Sequence, residues 1–502
     1  MRKRFDPCLE LGQTRIEKVV IPLKSRDELP PTLRGLQWIY QNPELNELVF
    51  TLLEEKIIGD KKETGRPGMD LWHILVLGVV RLTLNCNYDR LEHIANHDGL
   101  VRQIMGLPVF GVDPHKADFH HKTISDNICH IDEELLAEIN ALVVQFGLPE
   151  LKKNENEKLE VKADSYVLET NVHYPTDLNL LWDAARKCIT ILCSLFFNFG
   201  LPGWRKAMYW KRQIKKVTRN CAKIAKGGGA NKENRLTEAA QIALEVAYEI
   251  ERKVHESIQT LRDRADLSVG DAAKLVEAGV FHHYLIMHID LVERRLIKKE
   301  VIPHEDKVFS LFEEHTELIK KGKIRPPVEF GHRLLLATEQ HGLIIDYKIM
   351  DGGSESAETI PMADRLIDRF GQEQIQSISF DKGFSSVENR ELLELYFPDV
   401  VMPKKGRLTE ADKERQSDRK WRQIKDAHSA VESDINCLEH HGLDRCPDKG
   451  YHGYKRYTGL GILAYNLHKI GAHLLAAERE QKKKARKLKK RSLKSRPMPA
   501  AA

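Results

Sequence analysis

Two changes of hydrophobic period limit what this chain can fold into. Residues 159–171, LEVKADSYVLETN, alternate apolar and polar as a strand does. From about Asn179 to Lys321 the repeat is helical. Strand alternation returns at 328–338 (VEFGHRLLLAT) and 342–350 (GLIIDYKIM), with only EQH between them, which predicts a β-hairpin. Then come a helix in ESAETIPMADRLIDRFG closed by Gly371, a buried strand in IQSISFD, a helix in SSVENRELLELYF and a short strand in DVVMPKK. Helical regions at 420–440 and 455–480 finish the pattern. Setting aside 178–325 leaves strand, hairpin, helix, strand, helix, strand, helix. That order predicts an α/β core with a helical insertion after its first strand.

Residues 30–150 read as helical. Leu71, Ile74, Leu75, Gly78, Val79 and Leu82 recur at helical spacing, with Asp70 at the N-cap position. Helices are expected at about Asp89–Asn96 and Leu100–Met105. Another should run from TISDN (123–127) through LLAEINALVVQFG to Gly147. Such helices suit a helix-turn-helix-like DNA-binding unit and equally a helical dimerisation domain; periodicity does not separate the two. The polar stretch KKNENEK precedes the first strand. In the insertion, LNLLWDAARKCITILCSLFF should form a helix capped by Thr176 or Asp177. Gly227–Gly229 breaks it from helical segments at 235–265, 269–299 and 304–321.

The 41% apolar fraction of the 502 residues can build sizeable cores. The longest apolar candidate, Ile74–Val80, is far short of the roughly 18 residues that span a bilayer. The basic start, MRKRFDPCLELGQ, has no apolar signal core behind it. The expectation is a soluble, cytoplasmic, nucleoid-associated protein with no membrane partner. None of the eight cysteines forms a CxxC pair, so reduced thiols are expected and a thiolate zinc site is not. The net charge of +5 conceals an asymmetry. EREQKKKARKLKKRSLKSR (478–496) holds eleven Lys/Arg against two Glu. A block of this kind repels itself and reads as a disordered tail or a frayed helix, either polyanion-binding or merely solubilising.

Three acids stand out by context. Asp164 lies inside a strand, where a charge is disfavoured without a partner or a task. Asp381 ends an apolar strand and precedes a glycine turn (SISFDKGF), at the sheet edge where ligands bind in open α/β folds. Glu432 lies in the helical HSAVESDINCLEHH. Only the fold can bring residues so far apart in sequence together. Such a cluster suits phosphoryl transfer, in which two hard cations roughly 3.5–4 Å apart stabilise the attacking and leaving oxygens. Mg²⁺, with Mn²⁺ as a substitute, prefers oxygen ligands of this kind.

At these residues the chain resembles the DDE transposases of bacterial insertion sequences, most closely the group called ISNCY. The resemblance rests on ADSYVLETNVHYPTDLNLLWDAAR (163–186), SFDKGFSSVENRELL (379–393) and HSAVESDINCLEHHGLDRCPDKGYHGYKRYTGLGILAYNLHKIG (428–471). TGRPGMDLWHILVLGVVRLTLNCNYDRLEHIANHDGLVRQIMGL (64–107) is also similar to the helical domain that opens these enzymes. The resemblance implies a ribonuclease-H-like catalytic core at 156–177 and 326–475. It implies a helical N-terminal domain at 1–155, a helical insertion at 178–325 and a basic disordered tail at 476–502. It further implies binding of DNA, both terminal inverted repeats and target, by a homodimer in the synaptic complex. Asp164, Asp381 and Glu432 would hold the metal ions; water would nick the element ends, and the freed 3′-hydroxyl would attack the target.

The chain departs from one pattern of the related enzymes. Where some carry Tyr, Arg and Lys around the catalytic Glu, it has Lys425, His428 and Glu439. His428, four residues before Glu432, could touch the scissile phosphate, position the Glu, or be structural. Two other readings stay open: a catalytically inactive, transposase-derived DNA-binding protein, and a structure-specific nuclease on the same core.

Residues 204–226 join basic residues to Trp204, Tyr209 and Trp210. Lys211, Arg212, Lys215 and Lys216 are candidate DNA contacts, with Lys404 and Lys405 after the last short strand. The competing reading packs those aromatics inside the insertion. His93 and His97 have zinc-ligand spacing but no evident third ligand. His120–His121 and His440–His441 look equally isolated, as structural or surface histidines.

Overall fold

The computed structural model describes residues 2–5, 13–59, 68–109, 118–154, 156–320 and 327–494, with side chains to residue 488. The start of the TGRPG motif and residues 495–502 of the tail lie outside the described residues. The chain forms two compact units, residues 1–171 with 319–502, and residues 172–318. Among the described residues no helix is long and apolar enough to cross a membrane. Cys86, Cys129, Cys188, Cys193, Cys221 and Cys437 are free thiols.

The larger unit is built on a mixed sheet. Its strands are β1 (Leu159–Thr170), β2 (Glu317–Lys320), β3 (Val328–Thr338), β4 (Ile344–Met350), β5 (Ile375–Phe380), β6 (Asp399–Val401) and β7 (Arg445–Cys446). The strand order is β2-β3-β1-β5-β6, and β4 also pairs with β3. β3 is antiparallel to both β1 and β4, whereas β5 and β6 run parallel to β1. The expected hairpin is β3–β4. Buried Glu339 holds its turn by accepting from the backbone N–H groups of His341 and Leu343 at 2.8 and 2.9 Å. At Gly342 φ is +82°, a conformation only glycine adopts without strain. β2 joins the β3 edge and β7 pairs with the end of β1.

The N-terminal helices, expected as a separate domain at 1–155, share this unit. The reason is visible in helix Leu71–Thr83, where every residue is buried. A helix apolar all round must lie inside a core. It and helices Leu29–Gln41 and Glu133–Leu151 pack on the long helix Gly450–Lys494. Two glycines permit backbone contact there. A Cβ on Gly35 would stand 2.2 Å from the Leu467 carbonyl, and one on Gly471 would clash with the Pro31 carbonyl.

For the tail, the same helix favours the helical alternative. Residues 476–494 continue Gly450–Lys494 rather than forming a disordered segment. Ala, Glu, Gln, Lys and Arg are strong helix formers, and the packed first half supplies the nucleus. Two further helix expectations change. The helix expected from 123 to 147 is two, His121–Ile128 and Glu133–Leu151, because the Asp132 side chain accepts from Leu135 N–H at 2.8 Å and starts a new one. No helix forms at 304–320: Ser310 Oγ accepts from the N–H groups of Phe312 and Glu313, a local turn that competes with the helix.

A buried ion pair ties the N-terminal helices to the segment before the long helix. Arg81, 3% exposed, donates to both Asp448 oxygens at 2.5 and 2.9 Å and stacks over Tyr88 at 4.1 Å. Removing one partner strands a buried charge. Asp448→Ala is therefore expected to lower unfolding free energy by about 3–5 kcal/mol, measured by urea denaturation. A loss under 1 kcal/mol would show that the pair is dispensable.

The smaller unit is helical. Its helices are Asp177–Asn198, Ala207–Lys226, Lys232–Arg262 and Val269–Val292. Thr176 caps the first through Asn179 N–H. They enclose an apolar core of their own.

Candidate functional site, an acidic cluster at the sheet edge

Strand register brings the first two acids together. Between parallel β1 and β5, Lys162 lies opposite Ser379 and Ala163 opposite Phe380. One residue further along stand Asp164 and Asp381, so the two carboxylates are neighbours at the carboxyl edge of β5. The turn after Asp381 is pinned to the core by Phe384, whose ring lies 5.4 Å from that of Phe380. Both rings are buried.

Glu432 comes from a helix break. The helical region expected at 420–440 consists of two helices, Arg419–His428 and Ala430–Leu438, joined at Ser429. Glu432 sits in the first turn of the second. His428 closes the first, and its Nδ1 lies 3.0 Å from Ser379 Oγ. That hydroxyl donates to the Val161 carbonyl at 3.3 Å. It has one proton, so it accepts from His428 Nδ1–H. The imidazole Nε2 is then an acceptor, and it is buried without a hydrogen-bond partner among the described residues. Burial pushes the His428 pKa down, keeping the ring neutral. His428 thus anchors the helix junction to β5, which sets Glu432 over the sheet edge.

Burial pushes the Asp164 carboxyl up to about 7, against a hydrogen bond from Ser165 N–H that lowers it. The fields of Asp381, Glu355 and Glu432 add to the rise. The three acids picked out by sequence therefore act on one another, and Glu355 joins them as a fourth.

Glu355 starts helix Glu355–Phe370, capped by Ser354. Its Oε1 accepts from Ser165 Oγ at 2.6 Å and lies 3.7 Å from Arg333 Nη1. Its other oxygen occupies the space where a Cβ on Gly383 would be. The glycine of the DKGF turn thus admits a carboxylate beside Asp381. Sequence reading did not single out Glu355; it placed the residue only within a helix. The available signal was its place just after the hairpin, in a chain whose next strand ends at Asp381.

The carboxylates are spread more widely than the ligands of a single ion. Among the described residues, sets of three ligands with atoms within 4.8 Å of one another occur elsewhere in the chain. One of these corrects the reading of His120–His121 as isolated. Glu92 joins both, accepting from the backbone N–H and Nδ1 of His121 at 2.6 and 2.9 Å. The helix carrying Glu92 packs against the helix that starts at His121, which sequence spacing could not reveal.

The candidate DNA contacts divide. Lys405 is exposed and donates to the Gly383 carbonyl at 3.2 Å, which puts a cation at the rim of the acidic cluster. Lys404 instead pairs with Asp412 at 2.9 Å and stabilises its own loop. In the smaller unit, Trp204 is buried and donates to Ser257 Oγ at 3.0 Å, so it is a core residue and no stacking platform. Lys215 lies over the Trp182 ring at 5.1 Å. Lys211 is half-buried, whereas Arg212 and Lys216 are exposed. With Tyr209, Arg219, Lys223 and Lys226 the last two form one exposed stripe at spacings of three and four along helix Ala207–Lys226. None of its cations has an ion-pair partner among the described residues.

Comparison of the chain with protein-family models, with curated proteins and with solved structures found no match in any of the three.

Proposed function

We propose that this chain is a metal-dependent DNA transposase on a ribonuclease-H-like core. In chain order the core strands are β1, β3, β4, β5 and β6. Their spatial order is third, second, first, fourth, fifth, with the last two parallel to the first. That order supports the fold reading. The observation that carries the functional reading is the meeting of Asp164, Asp381 and Glu432, all within the resembling motifs, at one sheet edge.

The donor set fits Mg²⁺ or Mn²⁺. It is all oxygen, without thiolates, and the burial and mutual repulsion that raise Asp164 are what a bound cation would offset. Asp164, Asp381 and Glu432 would hold the ions, which supply charge stabilisation to the attacking and leaving oxygens. Lys405 would steer a phosphate to the cluster. His428 fixes the height of Glu432 and offers an unprotonated Nε2 beside it. The basic stripe of the smaller unit would track a DNA backbone, and a homodimer would bring two element ends together.

The direct test is strand transfer with Mg²⁺ and DNA carrying the inverted repeats that flank the gene. Joined product is expected. Cleavage without joining would favour a structure-specific nuclease, and binding without cleavage an inactive DNA-binding derivative.

Two variants probe the surroundings of the triad. Glu355→Gln keeps the shape and removes one charge, so the Mg²⁺ concentration for half-maximal activity should rise about 10–100-fold, as for partners that support metal ligands. An unchanged Mg²⁺ dependence would exclude Glu355 from the site. Arg212→Glu with Lys216→Glu should weaken binding to element ends and to unrelated DNA alike. The slope of log K against log salt should fall by about 2, one unit for each lost phosphate contact. An unaltered slope would remove the stripe from the DNA interface.

A further inference from the structure

The smaller unit holds a second constellation that the transposase reading does not use. Glu251 and His255 lie one turn apart on helix Lys232–Arg262, so they share a face. His282 reaches them from helix Val269–Val292, which packs alongside. His282 Nε2 lies 2.8 Å from Glu251 Oε1, and the rings of His255 and His282 are 5.8 Å apart. One ligand atom from each of the three falls within 4.8 Å of the others. Tetrahedral zinc bonds of about 2.0–2.1 Å require separations of about 3.3 Å, which small rotamer changes would reach.

We propose that Glu251, His255 and His282 bind a transition-metal cation of the zinc class. Two imidazole nitrogens and one carboxylate suit Zn²⁺, and also Co²⁺, Ni²⁺ or Cu²⁺, but not Mg²⁺ or Ca²⁺, which prefer all-oxygen sets. The carboxylate is free of competing cations: among the described residues no Lys or Arg pairs with Glu251. Its neighbours Arg252 and Lys253 are directed elsewhere, to Glu256 and to the Trp210 ring. The ligands stand on two regular helices, which holds their backbones fixed. His255 is exposed and gives the ion its way in, whereas Glu251 and His282 are 24% and 13% exposed. Water would fill the fourth position. The ion would replace the single His282–Glu251 hydrogen bond with a three-point cross-link between the two helices.

The Glu92–His120–His121 set is the weaker case. There the carboxylate already caps the His121 N–H and His120 Nδ1 accepts from Lys122 N–H.

The test uses the full chain stripped with a chelator and titrated with Co²⁺, followed by the visible bands of the tetrahedral ion, with Zn²⁺ as competitor. Wild type should show these bands. His255→Ala changes an exposed side chain and should fold normally, yet weaken binding about 100-fold or more, beyond the loss seen for mere supporting partners. Glu251→Gln should act in the same direction, and Glu92→Gln should leave the bands unchanged. Absence of tetrahedral bands in wild type would overturn the proposal. So would bands that survive His255→Ala and Glu251→Gln at full affinity, or that vanish with Glu92→Gln. None of these outcomes depends on strand transfer.

Discussion

Asp381→Ala is expected to reduce Mg²⁺-dependent strand transfer by about 10³-fold or more, equivalent to about 4 kcal/mol in the barrier. The residue is exposed and lies one position past β5, so its removal takes nothing from the core. Fold and thermal stability should hold. The loss should fall on both cleavage and joining, because in the proposed function one cluster would serve both steps. Binding of element-end DNA should persist, since in the proposed function the phosphate contacts would come from lysines and arginines outside the cluster. Equal activity in the variant would refute the site.

The second large effect concerns stability. The Asp164 carboxyl is raised from its ordinary range to about 7, chiefly by burial. The sign follows from proton counting. Below about pH 4 folded and unfolded chains both hold the proton. Between about 4 and 7 the unfolded chain releases it and the folded chain keeps it, so stability falls with rising pH. At about 1.4 kcal/mol per unit the loss approaches 4 kcal/mol by pH 7 and then levels off. Asp164→Asn has no such titration. In a chelator it should be increasingly more stable than wild type from pH 4 to 7, read as the difference between urea midpoints. Added Mg²⁺ should stabilise wild type and not the variant, which should be inactive. A difference independent of pH would show that Asp164 is not strained by its site. The pairing of better stability with lost activity is what a charge held for chemistry predicts.

Much of the core was legible because strand and helix differ in period over segments long enough to show it. The 159–171 alternation, the hairpin and the helical interruption all follow from side-chain patterning. Departures occurred where a local hydrogen bond overrode it. Ser310 turned an expected helix into a loop, and Asp132 divided another. The basic block at 478–496 repels itself when considered alone. Its helix is nucleated by packing more than ten residues earlier, at Leu460, Leu463 and Leu467.

By itself the sequence determined which residue types are available: an aspartate in a strand, another at a strand end, a glutamate in a helix, and no thiolate set. It also determined the alternation that places strands on either side of a helical interruption. Only tertiary structure decided that β1 and β5 lie parallel in a register that makes Asp164 and Asp381 neighbours. It likewise decided that His428 clamps a helix junction to Ser379, that Gly383 makes room for Glu355, and that Glu251, His255 and His282 meet between two helices. The physical reason is that backbone pattern is a property of neighbours along the chain. A carboxylate's pKa and a ligand's partners depend on distances of a few ångströms between residues far apart along the chain, 190 positions in the case of Ser165 and Glu355.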